Sequence, residues 1–500
     1  MKAEKGFKNL IAVIVSQLVT MVLGFLIPRI TLLSYGSETN GFMSLVSQIY
    51  IYVGLLEAGL GTAMVQALYA PITTNNRDEI SGIISAAKRY YNRIAAMYAG
   101  VVVLISVLLP CFLKSELSRW EITFYFLFFG VSNVINFIFT ASMKPILQAD
   151  GKNYVTNNIT LIFHVFSQFA KILLLSLAVN IVVLQFFYSV INILQVVVYY
   201  VYFKKKYSWI DKKAKPLFDN IKQRGSLFAQ QISRLFFSCV DIIIISLFFD
   251  LKTVSVYTTY LLIFDSIGRI LSMISTSTQF ILAQLYNENR EKYIPVHRGY
   301  ESVFVTVSFV AYSVAFVLVL PFIKLYTEGV TDASYINMYL PILFTLIGLF
   351  TTFKTVPLGL INFTYHAKQT LNRTISEAAI NFVLSIIFAM IFGMWGVLLA
   401  TCIALVYRVV DSTIYINRKI LNASVFQNFK LYIVNLIAFV AIVYAMQFVS
   451  FEFSNYLEFI FAGGIITVAL MVYYVTINAL IDIKQAKMIF NILKKKVLKR

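Results

Sequence analysis

Cysteine, histidine and acidic residues are scarce in this chain of 500: three, three and 23 respectively. Cys111, Cys239 and Cys402 sit in apolar runs, far apart and without C-x-x-C spacing, so neither a disulfide framework nor a zinc site is indicated. His164, His297 and His366 are too few for a His-rich metal site. No G-x-x-x-x-G-K-[ST] motif occurs, which excludes ATP hydrolysis on a P-loop. Charged residues make up 13 % of the chain, about half the share of a water-soluble globule. So little charge cannot clothe a soluble surface. Disorder, a collagen-like fibre and a soluble α/β enzyme are excluded together.

What the chain has is apolar length. Hydrophobic residues reach 59 % and mean hydropathy is +0.78. A helix needs about 20 apolar residues to cross a bilayer's hydrocarbon core. Fourteen such runs are predicted, at 9–33, 40–64, 93–113, 120–143, 154–178, 180–203, 226–250, 253–284, 300–325, 336–364, 370–392, 394–416, 429–449 and 456–481. The runs are continuous rather than alternating, which argues against barrel strands. The fold class is therefore an all-α integral membrane protein. The first run follows MKAEKGFKNL without an A-x-A cleavage signature and reads as an uncleaved first helix.

Lys and Arg total 42, giving a net charge of +19. In a membrane protein that excess marks cytoplasmic loops, not nucleic acid. With the N-terminus inside, the predicted cytoplasmic segments hold 32 of the 42, and the outer loops and helix ends only Lys114, Arg119, Lys252 and Lys324. Both termini are expected in the cytoplasm. The basic stretch 204–225 divides the first twelve spans into six and six. The C-terminal KMIFNILKKKVLKR reads as an amphipathic anchor on anionic lipid. The expected domains are a six-helix lobe (1–203), a basic linker (204–225), a second six-helix lobe (226–416), two appended helices (417–482) and a basic tail (483–500). SLFAQQISRLFFSCVDIIIISLFF, after the linker, parallels the first span, and VSVYTTYLLIFDSIGRILSMISTSTQFILAQLY parallels GFMSLVSQIYIYVGLLEAGLGTAMVQALY. Repeats of the same sense imply a pseudo-twofold axis along the membrane normal.

The segment YGSETNGFMSLVSQIYIYVGLLEAGLGTAMVQALY (35–69), with Gly41, Gln48, Glu57, Gly59 and Gly61, resembles the second-helix signature of polysaccharide exporters. NFVLSIIFAMIFGMWGVLLATCIA (381–404), with its Gly393–Gly396 turn, resembles their eleventh and twelfth helices. These Wzx-type flippases of O-antigen and capsule units belong to the multidrug/oligosaccharidyl-lipid/polysaccharide (MOP) exporter superfamily. The resemblance implies a MATE-like fold of two six-helix lobes around a central cavity that opens to either side in turn. It implies an undecaprenyl-pyrophosphate-linked oligosaccharide as substrate and a bacterial cytoplasmic membrane as location. Polysaccharide polymerase and glycosyltransferases are its candidate partners, besides membrane lipids.

Ionisable residues inside spans each cost about 2.5–3.5 kcal/mol on insertion scales, so they must pair or face water. The cations are Arg29, Lys171, Arg234, Arg269, Lys354 and Arg408; the acids are Glu57, Asp241, Asp265, Glu377 and Asp411. Asp265 with Arg269 (i,i+4) and Arg408 with Asp411 (i,i+3) are spaced for local pairs, and Arg234 and Asp241 lie two turns apart. Arg29 beside Pro28 either snorkels or lines the cavity. Lys171 with Gln168 and His164 makes a polar stripe, either packed or cavity-lining. Lys354 in TTFKTVPLG, just before Pro357, predicts a discontinuous helix facing water. Arg29, Arg234, Arg269, Lys354 and Lys171 are the candidate substrate ligands, since cations suit a pyrophosphate. Glu57, Asp241 and Asp265 are candidate coupling groups or charge partners, with coupling to Na⁺ or H⁺. No other cofactor, catalytic residue or resident metal is expected.

A peptidoglycan-precursor flippase and a cation-coupled drug antiporter of the same superfamily are the near alternatives. A membrane glycosyltransferase or polymerase is remote, because every predicted outer loop is short and leaves little room for an active site.

Overall fold

A computed structural model of the chain describes residues 2–57, 60–211, 214–218, 240–449 and 451–483, excepting the side chains of 2–19, 62, 153 and 280. All regular structure in these residues is helical: α1 (Lys2–Val53), a short 3₁₀ turn (Gly54–Glu57), α2 (Leu60–Thr73), α3 (Arg77–Phe112), α4 (Arg119–Phe139), α5 (Lys144–Ala149), α6 (Asn153–Ser176) and α7 (Ile181–Lys206). After α8 over 240–248 come α9 (Leu251–Glu288), α10 (Arg290–Tyr326), α11 (Leu340–Phe363), α12 (Leu371–Phe392), α13 (Met394–Tyr415) with a π-helical turn (Ile416–Leu421), α14 (Phe426–Ala445) and α15 (Tyr456–Ile481).

Twelve helices among the described residues are long and apolar enough to cross a membrane. They match the predicted spans once two differences are counted. The first two predicted spans share α1, which turns at Gly36 (φ 82°, ψ 177°) instead of opening into a loop. That conformation belongs to glycine, because a Cβ disfavours positive φ. The seventh predicted span lies mostly outside the described residues.

The distribution of polarity is that of a protein solvated by hydrocarbon. On α12 the buried residues are Glu377, Asn381, Ser385 and Ala389, an i,i+4 stripe of mainly polar side chains. Phe382, Val383, Ile387, Met390 and Ile391 are exposed. On α15 the buried pair is Tyr474 and Asn478, while Leu457, Phe461, Ile465 and Val468 are exposed. Water would reverse this arrangement. In lipid an unpaired polar group is the costly one, so polar side chains turn inward and apolar ones outward.

The chain forms two compact units, Met1–Ser255 and Val256–Arg500. In the first, the second-helix signature works as a packing device. Gly41 lies so close to α9 that a Cβ there would fall 1.9 Å from the Leu251 carbonyl oxygen. Asn40 donates to Ser255 Oγ at 2.7 Å. Glu38 accepts from Ser115 Oγ at 2.6 Å and from the Glu116 backbone, which ties down the α3–α4 connection. The basic linker starts docked rather than loose: Asp211 N–H donates to Ser81 Oγ at 3.2 Å and Leu217 N–H to the Gly82 carbonyl at 3.1 Å.

In the second unit, α12 and α13 meet across Gly393 (φ 70°), whose conformation lets the chain reverse within one residue. The tight glycine turn expected from sequence is thus present. α14 and α15 are bound by polar contacts. Asn435 and Asn478 exchange side-chain hydrogen bonds at 2.8 and 2.9 Å. Ser313 of α10 meets the Tyr474 hydroxyl at 2.8 Å. Glu301, buried on α10, accepts from Asn428 at 2.6 Å and from the Tyr432 hydroxyl, both on α14.

Candidate functional site

Among the described residues, the densest in-membrane charge cluster lies in the second unit, on α11, α12 and α13. Lys354 Nζ donates to Glu377 Oε1 at 2.7 Å, with side chains 13 % and 5 % exposed. The other carboxylate oxygen, Oε2, lies 3.5 Å from Nε of Arg408, which is 2 % exposed. Arg408 continues to Asp411 Oδ2 at 3.1 Å and to Thr374 Oγ1 at 3.1 Å. Arg373, more exposed, donates to the other Asp411 oxygen and stacks on Tyr415 at 4.9 Å from the ring centre. Among the described residues, three cations therefore share two carboxylates. Such a chain of charge-assisted bonds satisfies most of its members internally and carries one excess positive charge toward its more exposed end, at Arg373.

Lys354 is placed differently from its sequence reading. α11 runs through Pro357 without interruption, and the lysine is met by a carboxylate from α12 rather than by an unwound, watery stretch. A proline inside a membrane helix is tolerated where neighbouring groups re-satisfy the freed backbone, and here the helix continues on both sides of Pro357. The break occurs elsewhere. The predicted second span is not one helix: α1 ends at Val53, a 3₁₀ turn carries Gly54–Glu57, and α2 starts at Leu60. Gly54 and Gly61 weaken the helix there. Glu57, at the end of that turn, accepts from the Tyr91 hydroxyl at 3.1 Å, and the nearby cation acting on it is Lys144 of α5.

Asp265 and Arg269 form the i,i+4 pair expected, at 2.8 Å, but on an exposed face. Lys171, half-buried, sits over the Tyr188 ring at 5.9 Å, and its stripe partners Gln168 and His164 are in contact at 3.4 Å. Arg29 and Asp241 are half-buried on α1 and α8. Arg234 lies outside the described residues. Sequence reading passed over Glu301, Lys144 and Arg373, and it noted Glu377 only as an in-span acid. For Glu301, the second residue of the predicted span 300–325, the available signal was an acid at a span end.

By sequence the chain matches no known family and no curated protein. Solved structures do match. The lipid II flippase MurJ, in an inward closed conformation, aligns with a TM-score of 0.65 over 93 % of this chain and 98 % of its own, at 16 % identity. An inward-facing MATE multidrug resistance transporter of the MOP superfamily aligns at 0.59 over 87 % of this chain and 99 % of its own, also at 16 % identity. The MATE multidrug transporter DinF-BH in complex with R6G aligns at 0.56 over 82 % and 94 %, at 15 % identity. The chain thus has the all-helical MurJ/MATE-type fold, in a multi-pass membrane protein.

Proposed function

We propose that this protein is a flippase, not an enzyme, which carries a polyprenyl-pyrophosphate-linked oligosaccharide from the cytoplasmic to the outer leaflet by alternating access. The observation that carries the reading is a surplus of cations at membrane depth. Lys171 is met by an aromatic ring rather than a carboxylate, and the α11–α13 cluster sets three cations on two carboxylates. Charges this costly are kept where an anion offsets them, and a pyrophosphate is such an anion. Arg29, Lys171, Arg234, Arg269 and Lys354 are the proposed ligands. Glu57, at a helix break beside Tyr91, is the proposed coupling group for H⁺ or Na⁺, with Asp241 and Asp265 as charge partners. The likeness to MurJ supports a second reading with the same headgroup chemistry, a peptidoglycan-precursor flippase.

Expression in two strains separates the readings. Rescue of a strain lacking its O-antigen or capsule flippase supports the first, and rescue of a strain depleted of its lipid II flippase supports the second. Drug efflux with neither rescue would overturn both in favour of an antiporter. In the rescued strain, Lys171→Met should cut transport by at least about tenfold, the loss of one charge-assisted contact of roughly 1.5–3 kcal/mol. Lys171→Arg should retain part of it. Equal activity of both variants would remove Lys171 from the site.

The proposed orientation, with both termini in the cytoplasm of a bacterial inner membrane, is checked by labelling single cysteines on a background without Cys111, Cys239 and Cys402. Asp332→Cys and Ser454→Cys, both exposed, should react from outside. Asn75→Cys and Lys368→Cys, also exposed, should react only after permeabilisation. The reverse pattern would invert the topology.

A further inference from the structure

A second charged site lies in the first unit, and none of the residues assigned to transport above lines it. Where α2 meets α3, α5 meets α6 and α7 ends, the chain forms an open cleft of about 240 Å³. Arg77, Lys152 and Lys206 line it together with a single carboxylate, Asp150. That carboxylate is already engaged, by Lys152 and by the Tyr207 hydroxyl. The cleft therefore holds a local excess of two positive charges among its lining groups, and its one acid faces inward to its own partners.

Two aromatic residues set the geometry. Arg77 is spread over the Trp209 ring, 5.2 Å from its centre, and Lys152 lies over the Tyr207 ring, also at 5.2 Å. Cations held over ring faces keep their N–H groups available for a further acceptor. Tyr207 is buried, and burial together with the neighbouring Asp150 carboxylate pushes its phenol well above the ordinary value, so it stays a hydrogen-bond donor. The wall is also firm. Tyr207 and Trp209 open the basic linker, and that segment is pinned by Ile210 N–H to the Tyr207 carbonyl at 3.2 Å and by the Asp211 and Leu217 bonds to α3. Phe218 packs edge-on against Tyr90 at 5.2 Å. Gathering three cations on a rigid frame costs electrostatic energy unless an anion joins them.

We propose that this cleft binds an anionic phosphate group, either the headgroup of an anionic phospholipid or a free phosphate or diphosphate. The volume admits several waters, hence a phosphate, and is too small for a folded partner. Arg77 offers the planar fork that matches phosphate oxygens, and Lys152 and Lys206 act as point charges. α7 leaves its apolar stretch at Phe203 and ends in Lys204, Lys205 and Lys206, so the cleft opens at headgroup depth. Through Trp209, occupancy would fasten the root of the linker to α3 and α6. The site is independent of the transport reading and stands or falls separately.

The test uses the full chain with Trp120→Phe and Trp395→Phe, which leaves Trp209 as the sole tryptophan of three. The protein is held in a maltoside micelle free of phospholipid, at fixed ionic strength. A saturable change in Trp209 emission on adding phosphatidylglycerol, with none on adding pyrophosphate, identifies a lipid headgroup. A saturable change with millimolar inorganic pyrophosphate identifies a free anion. In either case Lys206→Gln, at an exposed position that does not threaten folding, should weaken the response about tenfold, as should Arg77→Lys, which keeps the charge and loses the fork. Native mass spectrometry should show the bound lipid or anion lost in parallel. No emission change with either probe would overturn the proposal, as would a response undiminished in Lys206→Gln and Arg77→Lys.

Discussion

Glu377→Ala should lower the thermal stability of the purified protein more than any other single change in its charged core. The carboxylate is 5 % exposed and holds Lys354 at 2.7 Å. Its second oxygen faces the almost fully buried Arg408 at 3.5 Å. Without it two buried cations lose the carboxylate they share. Breaking a buried ion pair from one side costs roughly 3–5 kcal/mol, which for a unit of this size corresponds to a fall in Tm of about 10 °C. The second half of the test is a rescue. Adding Lys354→Met to Glu377→Ala removes one of the two cations that shared the lost carboxylate, and the double variant should regain several degrees. An alanine variant as stable as the wild type, or a double variant no better than the single, would show that the cluster is not coupled in this way. Lys354→Met alone separates structure from transport. It leaves Glu377 paired with Arg408, so the melting temperature should fall little. If Lys354 also binds the substrate, transport should fall by about tenfold or more.

The membrane class and the approximate place of most spans were legible because a bilayer imposes a length rule on apolar runs, whereas helix ends such as the start of α3 at Arg77 were not. Local ion pairs were legible for a similar reason: Asp265 with Arg269 and Arg408 with Asp411 lie within one helical turn, where spacing and contact coincide. Pairs between helices follow no such rule. Nothing in the residues around Lys354 points to Glu377, which lies 23 positions away and is brought close only when α11 and α12 pack. The same holds for Glu301, whose partners Asn428 and Tyr432 are over a hundred residues distant. Helix breaks misled for a different reason. Proline is the conspicuous breaker, yet α11 absorbs Pro357, whereas the glycine-rich run around Glu57 gives way. The packing of α11 against its neighbours, which sequence does not show, is what a proline in a membrane helix depends on.

The second-helix signature tells most about what kind of information the resemblance carried. Gly41→Ala should destabilise the protein by about 3 kcal/mol, the upper end of the usual cost of overpacking, because the added Cβ meets backbone that cannot rotate away. Leu251 oxygen lies 1.9 Å from the Cβ position and the Ser255 nitrogen 3.2 Å. Relief therefore requires moving the first turn of α9, Leu251 to Ser255, from α1, which also stretches the 2.7 Å bond from Asn40 to Ser255. Gly100→Ala on α3 is the matched control, since nothing lies within 4 Å of its Cβ position. There the helix should gain up to about 1 kcal/mol from the lost backbone freedom of glycine. Melting temperatures of the two variants in the same detergent should move in opposite directions. If Gly41→Ala melts with the wild type, the close crossing does not exist in the protein, and the packing role assigned to the signature falls with it. If it melts early while transport per folded molecule is unchanged, the glycine serves architecture alone. Such residues then mark a fold that several transporters share, and the substrate must be read from the charged groups that each of them places inside it.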